Sequence, residues 1–109
     1  MIEIATSPTT TTVTVSGDLD LAERGQFPEV TARVSGLRRP LLVIDLCEAT
    51  FLDSTGAAFL ISLADTTARR GGTTVLRGAD DRELFVLEIC GALDSFRIDP
   101  NHRCEQRAS

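Results

Sequence analysis

The chain has 109 residues, and its 11 basic and 16 acidic residues give a formal charge of −5 at pH 7. This length fits one domain with a modest core and leaves no room for a catalytic domain with a separate cofactor domain. The acidic balance and the absence of Trp and Tyr argue against nucleic-acid binding. Since no apolar run could span a membrane and the N-terminus lacks a signal-peptide pattern, we expect a cytoplasmic protein without membrane contact.

The first predicted element is a β-hairpin. Ile2 and Ile4 alternate with polar residues, Ser7-Pro8 is typical of a turn, and Val13 and Val15 again alternate with polar residues. An alternation with period two places one face of each strand in the core. We therefore predict two antiparallel strands at the start of the chain.

An acidic loop and a helix are predicted next. The stretch 17–21 begins with glycine and carries Asp18 and Asp20, which are either ordinary turn residues or members of a functional site. Pro28 suits the first turn of a helix, and Gly36 is predicted to end it.

The central strand and the second helix organise the rest of the chain. The apolar stretch from Leu42 to Leu46 indicates a strand covered on both faces, and residues 48–52 are predicted to be a short link. Small and apolar residues then recur with helical spacing until Gly71-Gly72 stops the helix; these are Ala57, Leu60, Ile61, Ala64 and Ala68. Phe59 lies away from this stripe, so we expect it to face outward, where it is noise or a partner contact.

The segment Asp53-Ser54-Thr55-Gly56 opens this helix directly after the buried strand. Free backbone N–H groups and the positive end of the helix dipole gather at such a position. Asp, Ser and Thr are also the usual N-cap residues, so capping alone explains the segment as far as spacing goes. The segment is nevertheless the place where we expect any function to be encoded.

The remaining elements are a strand, a helix and an edge strand. Residues 73–76 are predicted as a short strand because the first three are β-branched, Asp80 with Glu83 resembles a capping box that opens a third helix, and residues 95–98 are predicted as the edge strand. The polar residues 99–109 are interpreted as a mobile tail. The order is β-β-α-β-α-β-α-β, an α/β fold with a mixed, mostly parallel β-sheet and an N-terminal hairpin.

The cysteine pattern predicts no metal site. Cys47, Cys90 and Cys104 form neither a CxxC pair nor an even set, so disulfide and metal interpretations are both weak. We expect Cys47 and Cys90 to be reduced and buried and Cys104 to be alkylated first, with a redox pair of Cys90 and Cys104 as the minor alternative. His102 is expected to be a solvated tail residue.

Four motifs in this order resemble the STAS domain, and specifically the anti-sigma-factor antagonists of bacteria. They are Gly17-Asp18-Leu19-Asp20, Leu42-Val43-Ile44-Asp45-Leu46, Phe51-Leu52-Asp53-Ser54-Thr55-Gly56 and the stretch 84–91. The resemblance covers residues 1–98, which we take as one STAS-like domain followed by the tail 99–109.

The resemblance implies a phosphorylation switch without a cofactor. In the family an Asp-Ser-Ser-Gly segment carries the phosphorylated serine at its third position, which here is Thr55, with Ser54 as the alternative. The unphosphorylated domain would bind an anti-sigma factor with serine/threonine kinase activity and so release a sigma factor, and a phosphatase would restore it. Expected partner-binding residues are Asp18, Asp20, Asp53, Ser54, Gly56 and Phe59.

Two other classes of function are compatible with a fold of this kind. An enzyme with Ser54 or Thr55 as nucleophile would need an adjacent base, but the only histidine is His102, and Gly-x-Ser-x-Gly is absent. A STAS accessory or scaffold subunit, as in a lipid-transport ATPase or a stressosome, would bind a protein without a phosphorylation cycle. We therefore expect no enzymatic activity.

Overall fold

Five strands form one mixed sheet in the computed structural model, which describes residues 1–104. The strands lie side by side in chain order; β1 is antiparallel to β2 and the other neighbours are parallel. The predicted architecture and the central position of β3 are thereby confirmed. The strands are β1 (Ile2–Thr6), β2 (Thr10–Leu19), β3 (Leu41–Leu52), β4 (Thr73–Arg77) and β5 (Arg97–Ile98).

Three α-helices pack on the sheet in the positions that the sequence predicts. They are α1 (Phe27–Leu37), α2 (Ser54–Arg69) and α3 (Asp81–Ile89), and short 3-10 helices span Leu21–Gln26 and Leu93–Ser95. The capping box of α3 is confirmed, because the Asp80 side chain accepts from the Glu83 N–H and the Glu83 side chain from the Asp80 N–H. In residues 1–104 no helix is long and apolar enough to cross a membrane.

The core lies between one face of the sheet and the helices. It contains inward-facing residues of the three central strands together with the inner stripe of α2; the hydrophobic ones with at most 2% exposure are Val13, Val15, Leu19, Leu42, Ile44, Leu46, Leu76, Ala57, Leu60, Leu63 and Ala64. Strand residues that recur with a period of two pack here against α2 residues that recur with a period of 3.6. This packing holds α2 on the sheet, with its start directly after the end of β3.

Two predicted loops belong to strands. Asp18 and Leu19 pair with Phe51 and Leu52, so β2 continues through the predicted acidic loop and β3 through the predicted link. The backbone groups of each segment find their partners in the other segment, some 30 residues away. The composition of each segment alone does not indicate this pairing, so the prediction of two loops was wrong. The 3-10 helix Leu21–Gln26 was also not predicted.

The cysteine prediction was also wrong. Cys47 in β3 and Cys104 form a disulfide, whereas Cys90 is free and exposed. Cys104 is therefore not isolated, and its partner is Cys47 rather than Cys90. The Asp99 N–H donates to the Leu76 carbonyl at 3.0 Å, so the start of the predicted tail has two attachments to the sheet. The domain boundary at residue 98 stays a prediction, and residues 105–109 of the tail lie outside the described residues.

Candidate functional site

The candidate site lies where β2 and β3 end together. Leu19 and Leu52 are register partners at the carboxyl ends of these parallel strands, so the residues that follow them are neighbours in space. Ligand and partner sites of open α/β sheets form outside the carboxyl ends of the strands. The structure thus brings the Asp18–Asp20 stretch beside the segment from Asp53 to Gly56.

Asp53 connects these two stretches through its carboxylate. One oxygen, Oδ1, accepts from the Gly56 N–H at 2.9 Å and caps α2, and the other, Oδ2, accepts from the Leu21 N–H at 3.1 Å. Capping is therefore the structural role of Asp53, as its residue type allows. The same side chain also fixes the distance between the start of α2 and the 3-10 helix that follows β2.

Gly56 is required at its position by close packing. A Cβ placed on it would overlap the carbonyl group of Leu19, whose oxygen belongs to rigid backbone. Gly56 is buried, so the first turn of α2 approaches β2 directly. The glycine of the motif is therefore a packing residue that allows the first turn of α2 to lie against the end of β2.

Thr55 occupies the first turn of α2, as predicted, and Ser54 precedes it as the first helical residue. Ser54 is exposed and Thr55 is half-buried. Helix geometry leaves the first N–H groups of α2 without helical partners, and only that of Gly56 is taken by Asp53. Both hydroxyls therefore lie where a negative group is favoured by free N–H donors and by the helix dipole.

Thr55 is half-buried because it belongs to a second stripe of α2, which faces α1. Together with Phe59, Ser62 and Thr66 it lines an open groove of about 640 Å³ between the two helices. The spacing i, i+4, i+7 and i+11 is that of one helix face. The Thr55 side chain is thus reached from this groove.

Phe59 does not face outward, which corrects the sequence-based expectation. It is only 5% exposed and stacks on Phe27 of α1, with ring centroids 4.1 Å apart. The expectation considered only the stripe of α2 that covers the sheet, whereas α1 covers a neighbouring side of the same helix. A contact of Phe59 with a partner is therefore not supported by its position.

Asp18 and Asp20 are held in different ways. Asp20 caps the 3-10 helix by accepting from the Ala22 N–H at 3.1 Å, and it lines a cavity together with Asp53. Asp18 is exposed near the end of β2 and accepts from the Thr50 hydroxyl at 2.7 Å. Asp20 therefore lies beside the start of α2, whereas Asp18 is exposed at the paired ends of β2 and β3.

Two exposed aromatic residues were missed by the sequence analysis. Phe51 and Phe85 are 50% and 59% exposed, and both line a cavity of about 200 Å³ between the end of β3 and α3. Ala49 packs against the core, so regular alternation would turn Phe51 inward as well. The register shifts between Gly17 and Asp18, opposite Ala49 and Phe51, and this irregularity leaves Phe51 exposed. A shift of this kind depends on pairing with β2 and has no local signal in residues 48–52.

A hydroxyl nucleophile needs an adjacent base. Asp53, the carboxylate nearest in sequence to Ser54 and Thr55, accepts hydrogen bonds from two backbone N–H groups. His102, the residue type that most often acts as such a base, lines a different cavity with Cys47.

Residues 1–103 match the family model of the STAS domain. No curated protein sequence matches the chain at a significant level. The solved structures that it resembles include an anti-sigma factor antagonist from Mycobacterium paratuberculosis, with a TM-score of 0.74 and 24% identity over 93% of this chain and 86% of that one. At this level of identity the likeness establishes the fold alone.

Two further structures with the same fold are those of SpoIIAA and of an RsbS variant. The anti-sigma factor antagonist SpoIIAA in its unphosphorylated form gives a TM-score of 0.75 and 14% identity, over 93% of this chain and 90% of that one. A serine-to-glutamate variant of RsbS from Moorella thermoacetica gives a TM-score of 0.76 and 20% identity, over 94% and 89% of the two chains.

Proposed function

The chain belongs to the STAS domain family, and on that premise we propose that it is a cytoplasmic anti-sigma-factor antagonist controlled by phosphorylation of Thr55. In this proposal the unphosphorylated form binds an anti-sigma factor that has serine/threonine kinase activity, and a sigma factor is released. The kinase transfers the γ-phosphoryl group of ATP to Oγ1 of Thr55, the hydroxyl proton leaves, and ADP is released. A phosphatase reverses the modification.

The observation that carries this proposal is the position of Thr55 in the first turn of α2. The hydroxyl lies beside free backbone N–H groups, which stabilise a phosphate within the domain. The same position is at the rim formed by the ends of β2 and β3, so a partner that docks there meets the modified group directly. Ser54 is more exposed and is the alternative acceptor.

The charge of a phosphate is large enough to control binding. Phosphorylation adds about −1.5 to −2 charges at pH 7. At roughly 7 Å and an effective dielectric constant of about 20, each added like-charge pair costs on the order of 2 kcal/mol. After salt screening this corresponds to roughly a 10- to 1,000-fold loss of affinity for an acidic partner surface.

Exposed residues around Thr55 supply the rest of the proposed partner surface. Asp18 and Asp20 provide carboxylates, and Phe51, the register partner of Asp18, provides a half-exposed aromatic ring. We propose Phe51 instead of Phe59 as the aromatic contact with the partner, because large exposed aromatic residues are the usual anchors of protein interfaces. Asp53 and Gly56 act through their packing, which holds this surface in shape.

The deciding experiment measures phosphate incorporation from labelled ATP with the anti-sigma kinases of the source organism. We expect wild type and Ser54→Ala to be phosphorylated and Thr55→Ala to bind the kinase without incorporating phosphate. Incorporation into Thr55→Ala but not into Ser54→Ala would move the site to Ser54. If no kinase modifies the wild-type chain, the phosphorylation switch is wrong.

Binding is measured separately by titrating the same kinase in the presence of ADP. Thr55→Glu is expected to weaken binding by about tenfold, less than a true phosphate, because it adds only one charge. Thr55→Gln has nearly the same shape without the charge and is the matched control. Equal losses for the two variants would show that shape rather than charge controls the interaction.

A second candidate function is that of an accessory or scaffold subunit that binds a protein without phosphorylation. The cavity beside Phe51 and Phe85 favours it, because an apolar surface there does not require a free hydroxyl at Thr55. In that case Phe85→Ala would abolish partner capture while Thr55→Glu would leave it unchanged. The opposite pattern supports the antagonist.

A further inference from the structure

Three potential metal ligands meet on the sheet far from the helix start. The sulfur atoms of Cys47 and Cys104 and a ring nitrogen of His102 all lie within 4.8 Å of one another. Cys47 comes from the middle of the chain, whereas the other two residues come from its last described stretch. We propose that, when the disulfide is reduced, this cluster binds one Zn²⁺ ion.

The strand β3 has a β-bulge at Cys47. Thr14 pairs with Asp45 and Ser16 with Glu48, so two residues of β3 lie opposite one residue of β2 in a β-bulge. The Cys47 N–H is bound by the Asp45 side chain at 2.9 Å. Bulges of this kind re-aim a side chain relative to a regular strand.

Gly78 provides the room for the two sulfur atoms. It follows β4 with a φ of +76°, and a Cβ at this position would overlap the Cys47 sulfur and crowd the Cys104 sulfur. The two thiol groups are therefore enclosed on this side by backbone. The backbone at Gly78 thus keeps both sulfur atoms close to the ends of the segments that carry them.

The same two sulfur atoms form the disulfide when they are oxidised and bind the proposed ion when they are reduced. A dithiol reductant converts the Cys47–Cys104 disulfide into two thiols and becomes a disulfide itself. Zn²⁺ then displaces the two thiol protons, and both sulfurs bind as thiolates. Tetrahedral Zn²⁺ with these ligands needs donor atoms about 3.5–3.8 Å apart, so the two sulfur atoms would move apart after the disulfide is reduced.

The charges around the cluster fit a divalent cation. Two thiolates contribute two negative charges, and Glu48 lines the same cavity. Asp45 and Arg77 form an ion pair of 2.9 Å, and Arg103 lines the same cavity with a charge opposite to that of Glu48. The charge of the two thiolates equals in size that of the ion, and a water molecule completes the four ligands.

The donor set selects the metal. Thiolate and imidazole are the ligands that Zn²⁺ prefers, whereas Mg²⁺ and Ca²⁺ take oxygen ligands. A site of two cysteines and one histidine with a fourth exchangeable position is an established coordination pattern for zinc. The proposed ion would hold residues 102–104 against β3 in the absence of the disulfide.

The test uses the full chain, reduced with a dithiol and freed of it under anaerobic conditions. Zn²⁺ is titrated in competition with a chromogenic chelator, and Co²⁺ is used as a spectroscopic probe for thiolate coordination. We expect one equivalent of Zn²⁺ and a thiolate-to-Co²⁺ charge-transfer band for wild type. Cys90→Ser, which changes the cysteine outside the cluster, is the matched control and should behave like wild type.

Variants of the three cluster residues are expected to lose or weaken Zn²⁺ binding. Cys47→Ser and Cys104→Ser should lose one-equivalent binding, and His102→Gln should weaken it by about tenfold or more. His102 is a partly exposed residue outside helices and strands, so its replacement tests the site without affecting folding. The proposal is overturned if reduced wild type takes up no Zn²⁺, if Cys90→Ser loses binding, or if the three cluster variants bind as tightly as wild type.

Discussion

The start of α2 and the segment from Asp99 to Cys104 are both attached to the sheet, but by different means. The start of α2 is held by the Asp53 carboxylate, by the close approach of Gly56 to β2 and by the aromatic contact of Phe59 with α1. The segment 99–104 is held by one backbone hydrogen bond and one disulfide. The first region is therefore stabilised by many small contacts, and the second depends on a single covalent bond.

The largest expected effect tests the packing of α2. Phe59→Ala removes a buried ring that stacks on Phe27, so it should lower the free energy of unfolding by about 3–5 kcal/mol. Phe85→Ala, at a 59% exposed position, should change it by less than about 0.5 kcal/mol. Urea denaturation followed by circular dichroism measures both. Equal effects would contradict the contact between α1 and α2.

The next effect tests the covalent attachment of the second region. In oxidising buffer Cys104→Ser removes a bridge that closes a sequence separation of 57 residues, and it should cost about 2–4 kcal/mol of unfolding free energy. Cys90→Ser is the control, because Cys90 is free and exposed. Thermal unfolding should show a lower midpoint for Cys104→Ser alone. An unchanged midpoint would mean that the bridge does not form in solution.

A glycine pair tests the close approach at the start of α2. Gly56→Ala places a Cβ against the Leu19 carbonyl, and it should destabilise the domain by about 1–3 kcal/mol. Gly36→Ala, in α1 with open space around it, should instead stabilise the domain by up to about 1 kcal/mol through helix propensity. Chemical denaturation of the pair should thus give effects of opposite sign, and a shared sign would contradict the close packing.

The smallest effect tests the cap. Asp53→Ala leaves the Gly56 and Leu21 N–H groups without their acceptor, so it should lower the free energy of unfolding by about 1–2 kcal/mol. Asp65→Ala removes an exposed carboxylate from the middle of α2 and is the control. Hydrogen exchange should show faster opening of the first turn of α2 only in Asp53→Ala. Equal exchange rates in the two variants would show that the Asp53 cap does not stabilise the first turn of α2.

The same contrast explains which features could be predicted from the sequence. Asp53 and Thr55 were placed correctly because a helix start depends on neighbouring residues, which the sequence shows directly. Phe59 was misplaced because the side of α2 that faces α1 is decided by the docking of a separate helix. The Cys47–Cys104 bond was missed because three cysteines allow several pairings and spacing does not choose among them.

The acidic stretch shows a third kind of limit. Asp18 was expected in a loop, but it lies in β2 because Phe51 of β3 is its register partner. Alternation does not continue to the end of β3, because Thr50 and Phe51 are both exposed where the register with β2 shifts. The longer pairing can be recognised only when both strands are considered together, since each strand end by itself has the composition of a turn.

The two hydrogen bonds of Asp53 have a consequence for how fast a switch at this site can respond. Because one carboxylate binds both the start of α2 and the residue after Asp20, these stretches are held as one rigid unit. A phosphate on Thr55 would therefore change the charge of a surface whose shape is already fixed. No slow internal rearrangement would separate modification from its effect, so the response time would be set by the dissociation rate of the partner.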